Sequence, residues 1–365
     1  MNVKVDFAGT KLSADQSSEA AIQSFVVKIG DANVEGKIDG NNISFIIPDG
    51  LENLTFAPTI VISDKATITP ASGVEQDFSS PVIYTVTSED GIVTTKYTVS
   101  VSGQIRDFGF DEWETIKSST SGSTEQYDVP KGLYGTSNPG IMTINEMFGS
   151  NLPELFSYTV SPVEGQSGKA AKLQTVYTYM FLNGMDFNAL LGGLVPYVTA
   201  GSLFTGIFKT DMNNTLNSTK FGVPFVGEPA TFTGYYKYTP GTTYYNNKNE
   251  VVADKTDECS IYAVLYEELL DEENNNIPLN GDYNDPDLYI GSSKRIVMKA
   301  VLEDGTAKSD WTKFSIPFKL LEGKSYDATK KYYLAIVCSS SAEGDYFMGA
   351  PGSTLFIDSF TVTPQ

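Results

Sequence analysis

The sequence predicts an all-β protein of two sandwiches, an immunoglobulin-like one followed by a jelly roll. Three observations carry this. Short runs rich in Val, Ile, Thr, Tyr and Phe recur along the 365 residues, separated by Gly, Pro, Asn and Asp, as in antiparallel sheets. No rhythm of strands alternating with amphipathic helices appears, which argues against a parallel α/β sheet. Composition changes once, after Ser102-Gly103, from Val–Thr alternation to aromatic-rich strands. That break divides the chain into residues 1–103 and 104–365.

In the first part, strands are expected at residues 3–9, 22–29, 43–50, 55–64, 82–91 and 96–103. Turn signals such as Glu89-Asp90-Gly91 lie between them. The run from Val82 to Val101 reads as a hairpin with Val82, Tyr84 and Val86 on one face and Ile83 and Thr85 on the other. In the second part strands are expected at 155–163, 169–177, 201–208, 232–238, 259–268, 311–320, 332–338 and 355–362. Residues 141–148 read as a short helix or a turn. Residues 183–197 have helical spacing in Met185, Leu190, Leu191 and Leu194, interrupted by Gly192-Gly193. The closing stretch frames a Ser-, Gly- and Pro-rich loop at 339–353. Under strict alternation Asp358 falls on the face of Phe356, Phe360 and Val362, where a carboxylate must be paired, coordinated or protonated.

Charge and composition exclude several function classes. The formal charge of −20, from 25 basic and 45 acidic residues, repels nucleic acid and anionic lipid surfaces. There is no histidine, which removes His-based triads, His-ligated zinc and a His general base. Cys259 and Cys338 fall inside strands and read as free, buried thiols. No apolar run reaches the roughly 18–20 residues of a membrane span. Met1-Asn2-Val3-Lys4-Val5 is strand-like at once, so no signal peptide is expected here. Either the protein is cytosolic or a signal precedes this numbering.

Two resemblances add to this reading. Ala66–Val74, Gln76-Asp77-Phe78 and Val82–Gly91 resemble the Ig-like modules of Bacteroidetes surface lipoproteins, which usually serve as spacers. Six stretches of the second part are similar to the family called the putative carbohydrate metabolism domain. They are Phe110-Asp111-Glu112-Trp113-Glu114, Leu133–Gly140, Gly168–Leu173, Gly234–Gly241, and Tyr333–Ser341 with Gly349–Leu355. The resemblance spans almost all of 107–365. It implies a jelly roll akin to carbohydrate-binding modules, and export to the outer-membrane surface or periplasm of a Bacteroidetes bacterium. A lipid anchor would then sit on an N-terminus outside this sequence. No catalytic residue carries over.

Sugars are held by aromatic faces flanked by amides and carboxylates. The expected ligand residues are Tyr236, Tyr238, Tyr244, Tyr245, Asn246 and Trp113, with Tyr177-Thr178-Tyr179 ending another strand. Each tyrosine also has the plainer reading of a strand residue with its hydroxyl in solvent. A structural calcium is expected where Asp358 meets Asp111 or Glu112, since carboxylate oxygens suit a hard cation. The alternative is a carboxylate bonded to backbone amides. Asp282–Asp287 and Glu267–Asn276 read as solvated acidic loops.

Glycoside hydrolysis needs two carboxylates, and Asp111, Glu112, Glu343 and Asp345 are the candidates nearest the loop. The leading expectation is a non-catalytic binder of a neutral oligo- or polysaccharide through aromatic stacking. A glycoside hydrolase and a structural, adhesin-like surface protein are the alternatives.

Overall fold

The structure, a computed structural model, describes residues 16–365 apart from 31, 49–50, 52, 79–80, 105 and 274. The strand expected at 3–9 lies outside the described residues. The chain divides into two compact units, the first ending at Ile105 and the second running from Arg106 to Thr363. Both are β-sandwiches, as expected from the sequence.

In the first unit a three-stranded sheet faces a five-stranded one. The predicted hairpin forms, with Val82–Thr87 antiparallel to Thr94–Gln104. Asn42–Ile47 pairs with Thr94–Gln104 in parallel. Alternation sends Phe25, Phe45, Tyr84, Val86 and Val99 into one core. There Phe25, Phe45, Phe56 and Phe78 pack at ring separations of 5.3–6.2 Å.

The second unit stacks two larger sheets. The six-stranded sheet runs Val160–Glu164, Lys169–Gln174, Thr354–Pro364, Pro229–Thr239 and Lys308–Pro317, with Arg106–Phe108 against Thr354–Pro364. The eight-stranded sheet is built around Ser202–Phe208, Tyr332–Ser339, Ser260–Glu267 and Ile296–Val301. Phe232, Tyr236, Tyr238, Leu355, Ile357 and Phe360 from the first sheet meet Leu203, Ile261, Ala263, Leu265, Leu334 and Ile336 from the second. Gly234 is required at this contact, because a Cβ there would lie 2.3 Å from the Phe360 ring. Cys259 and Cys338 are free thiols buried in the same core.

The central strands of the eight-stranded sheet are apolar on both faces. Val264, Tyr266, Ala335 and Val337 point away from the sandwich core and are covered by Phe221, Leu279 and Ile290. A strand buried on both sides needs a cover. Here that cover leaves a cleft.

The helix allowed at 141–148 forms, as Asn138–Phe148, opened by Pro139 in its first turn. Other expectations are corrected. Residues 183–197 hold a single helical turn, Phe187–Leu190, ended before Gly192-Gly193. The strand expected at 155–163 begins only at Val160. Trp113–Lys117, Gln126–Pro130 and Ile296–Val301 are strands that the sequence reading did not place. In the last strand, Leu355 and Ile357 face the core, but so do Phe360 and Val362. The alternation changes parity at Asp358–Ser359, where Ser359 has φ 52°, an irregularity of the bulge kind. Asp358 therefore shares no simple face with Phe356, Phe360 and Val362.

Candidate functional site

The cleft lies on the outer face of the eight-stranded sheet and has a volume of about 260 Å³. Strand register builds its floor. Ser202, Ser339 and Ser260 are direct partners across three adjacent strands, giving a row of three hydroxyls. Two residues further along, Phe204, Val337 and Tyr262 form the next row. All six line the cleft. The floor is thus half hydroxyl and half apolar.

The walls come from four segments. The helix Asn138–Phe148 supplies Thr143, Ile144 and Met147, and residues 194–200 supply Val195, Pro196 and Thr199. Residues 210–219 contribute Met212 and Leu216, and residues 341–347 bring Asp345 and Phe347. The helix is fixed at its start by the buried Asn138. Its amide nitrogen donates to Val160 O at 2.8 Å, and its Oδ1 accepts from Val160 N at 2.9 Å.

Asp345 is the one charged side chain among the residues lining the cleft. Tyr289 donates its hydroxyl to Asp345 Oδ2. Burial pushes the Asp345 carboxyl up, against the lowering effect of that bond. Burial and the nearby Asp345 likewise raise the Tyr262 phenol. Among the described residues the hydroxyls of Ser202, Ser260 and Tyr262 have no protein partner, and the buried Thr219 hydroxyl has none either. Tyr346, the residue after Asp345, stacks on Tyr283 at 5.1 Å. A floor half hydroxyl and half apolar, with several unpaired hydroxyls and one carboxylate beside it, is equipped to hold a small polyhydroxylated molecule.

The loop carrying Asp345 is anchored by a residue the sequence reading passed over. Asp257, 2% exposed, accepts from Ser341 Oγ at 2.6 Å, Ser353 Oγ at 2.7 Å and Ala350 N at 2.8 Å. Its other oxygen accepts from Glu258 N at 3.0 Å. Burial raises this carboxyl, and those donors oppose the rise. Gly349 is needed here, since a Cβ would meet Ser341 Oγ at 2.3 Å. The Ser-, Gly- and Pro-rich loop is small because it closes over a buried carboxylate.

The residues expected at a site are dispersed. Tyr236 and Tyr238 are 2% and 1% exposed and donate to Asp304 O and Ser340 O. They are core residues with no ring face for a ligand. Tyr244 is also buried, its hydroxyl donating to Glu343 and Lys255 lying over its ring. Tyr245 is half-buried and stacks on Tyr177 at 5.0 Å. Asn246 caps its own turn, accepting from Lys248 N and Glu250 N. Trp113 packs against the core and donates to Phe110 O at 2.6 Å.

Of the carboxylates, only Asp345 reaches the cleft. Glu343 pairs with Lys255, which with Tyr244 draws its carboxyl below the usual range. Glu112 pairs with Lys131 at 3.1 Å on the surface. Asp358 and Asp111 both accept from one turn, residues 166–169. Asp358 Oδ2 accepts from Gln166 N at 2.7 Å and Ser167 N at 3.0 Å, and Asp111 Oδ1 accepts from Lys169 N at 2.9 Å. Among the described residues no cluster of three or more Cys, Asp or Glu is gathered for a metal.

Residues 109–363 match the family described as the putative carbohydrate metabolism domain. The chain belongs to this family. Residues 22–101 match the N-terminal domain described as SGBP. The chain is similar to a putative glycoside hydrolase from Bacteroides thetaiotaomicron, at 31% identity over 98% of this chain and 99% of that one, with a TM-score of 0.56. It is also similar to a putative glycoside hydrolase from Bacteroides vulgatus. That likeness has 26% identity over 70% of this chain and 96% of the other, with a TM-score of 0.51. Among curated proteins no relative is found.

Proposed function

We propose that this protein recognises a neutral glycan in the cleft and does not cleave it. The observation that supports this most is the lining itself: unpaired hydroxyls beside apolar side chains, with Asp345 as the one carboxylate. A carboxylate accepts sugar hydroxyls well, whereas hydrolysis needs a second one facing it. Rings at Tyr262 and Phe347, both half-buried, are available for stacking on the apolar face of a sugar. No described helix is long and apolar enough to cross a membrane. The SGBP-type first unit and the Bacteroides relatives support a place outside the cytoplasm, at the cell surface or in the periplasm.

A second reading has one observation in its favour. Asp345 is pushed up and Glu343 drawn down, the divergence that marks an acid and its partner in glycosidases, and the relatives carry that name. Glu343, however, is turned to Lys255 and Tyr244 and does not line the cleft.

A glycan array probed with wild type and with Asp345→Asn plus Ser260→Ala tests the proposal. Wild type is expected to bind neutral glycans that the double variant loses. Binding unchanged in the variant moves the site elsewhere, and release of reducing ends by wild type supports the hydrolase.

A further inference from the structure

We propose that a ribbon of five aromatic rings beside the cleft is a second sugar platform, one that takes a run of a neutral polysaccharide chain. It rests on the protein being a glycan binder, though not on the cleft being the site. Tyr177, Tyr179 and Phe181 succeed one another at strand spacing, with ring centroids 5.6 and 6.2 Å apart. Tyr245 extends the row at 5.0 Å from Tyr177, and Tyr197 flanks Tyr179 at 5.8 Å.

The core does not require these rings. The residues alternating with them, Thr178, Met180 and Leu182, are the buried ones, so alternation has already assigned the inward side. Phe181 is left 60% exposed. Isolated apolar side chains at a surface need no explanation, but a contiguous aromatic row does.

Polar partners fix the ring orientations. Tyr177 donates to Asn249 Oδ1 at 2.6 Å, and Tyr197 donates to Asp186 Oδ2 at 2.9 Å. Among the described residues the hydroxyls of Tyr179 and Tyr245 have no partner. Rings in a row, flanked by amides and a carboxylate, match a chain of sugars better than a single one. Each ring takes the apolar face of one residue while hydroxyls bond at the sides. The acids Asp186 and Glu250 at the flanks disfavour a uronic-acid chain.

The ribbon also adjoins the cleft. Val195, Pro196 and Thr199 line the cleft, while Tyr197 between them packs on Tyr179. Two adjoining sites on one chain raise the apparent affinity for a polymer above that for its monomer.

The test is native-gel affinity electrophoresis of the full chain in galactomannan, hydroxyethylcellulose, arabinoxylan, pullulan and polygalacturonate. Wild type should be retarded by at least one neutral polymer and not by polygalacturonate. Tyr179→Ala and Phe181→Ala should each weaken retardation tenfold or more with an unchanged circular dichroism spectrum, while Phe181→Trp retains it. Wild-type retardation in both alanine variants overturns the inference, as does a wild type retarded by none of the neutral polymers. Retardation lost in Asp345→Asn but kept in the ribbon variants leaves the cleft reading and removes this one. The reverse pattern supports the ribbon and removes the cleft.

Discussion

Asp257 and Ser353 meet across a buried hydrogen bond of 2.7 Å, and through it the loop before the last strand is tied to the segment entering Ser260–Glu267. The same carboxylate oxygen holds Ser341 and the Ala350 N–H. Asp345 and Phe347, which reach the cleft, lie between those two anchors. Asp257→Ala strands three or more buried donors and should cost about 3 kcal/mol or more, read from denaturant unfolding. Asp257→Asn, which keeps an acceptor, should cost less. Equal, small losses in both variants would show that the loop stands without this residue.

The position of Asp345 carries a pH signature. Its folded pKa is raised by burial, so its ionisation works against folding. The favourable contribution is complete below the unfolded value, about pH 4, and is lost as pH rises through the folded value. Asp345→Asn should therefore melt higher than wild type at pH 7, and the gap should close below about pH 4. The same variant should bind glycan more weakly. A melting temperature equal to wild type at pH 7 would place Asp345 in an open, solvated site.

Asp358 should matter without any cation. Asp358→Ala leaves the Gln166 and Ser167 N–H groups without their acceptor and should cost about 1–3 kcal/mol. Calcium or a chelator should leave the wild-type melting temperature where it is. A rise with calcium would place an ion at the Asp111–Asp358 turn.

The second unit has its own two-sheet core, running from Phe108 to Val362. Residues 106–365 expressed alone should give a cooperative melt and a β-type circular dichroism spectrum. A featureless unfolding curve would mean that the fold depends on the first unit.

The strands were legible where apolar and β-branched residues run together, as in Ser260–Glu267 and Tyr332–Ser339. Trp113–Lys117 is polar and largely exposed, so it carries little pattern to read. Tyr236 and Tyr238 read as ligand residues in the sequence because a tyrosine-bearing strand face looks the same whether it meets solvent or, as here, a second sheet. The cleft was hidden for a different reason. Ser202, Ser260 and Ser339 are far apart in sequence and become a row only through strand register. One signal was present: Ile261–Tyr266 and Leu334–Val337 are apolar at every position, which announces a covered outer face. Asp257 gave none, since its donors come from a loop some ninety residues later.

The central claim is binding without cleavage in the cleft. Isothermal titration of wild type with the best neutral glycan from the array measures both at once. The account predicts a saturable binding heat with affinity in the micromolar-to-millimolar range of about −8 to −4 kcal/mol, a return to baseline after each injection, and loss of that heat in Asp345→Asn plus Ser260→Ala. Sustained heat flow after each injection, with new reducing ends in the cell, would contradict it and make the protein a hydrolase.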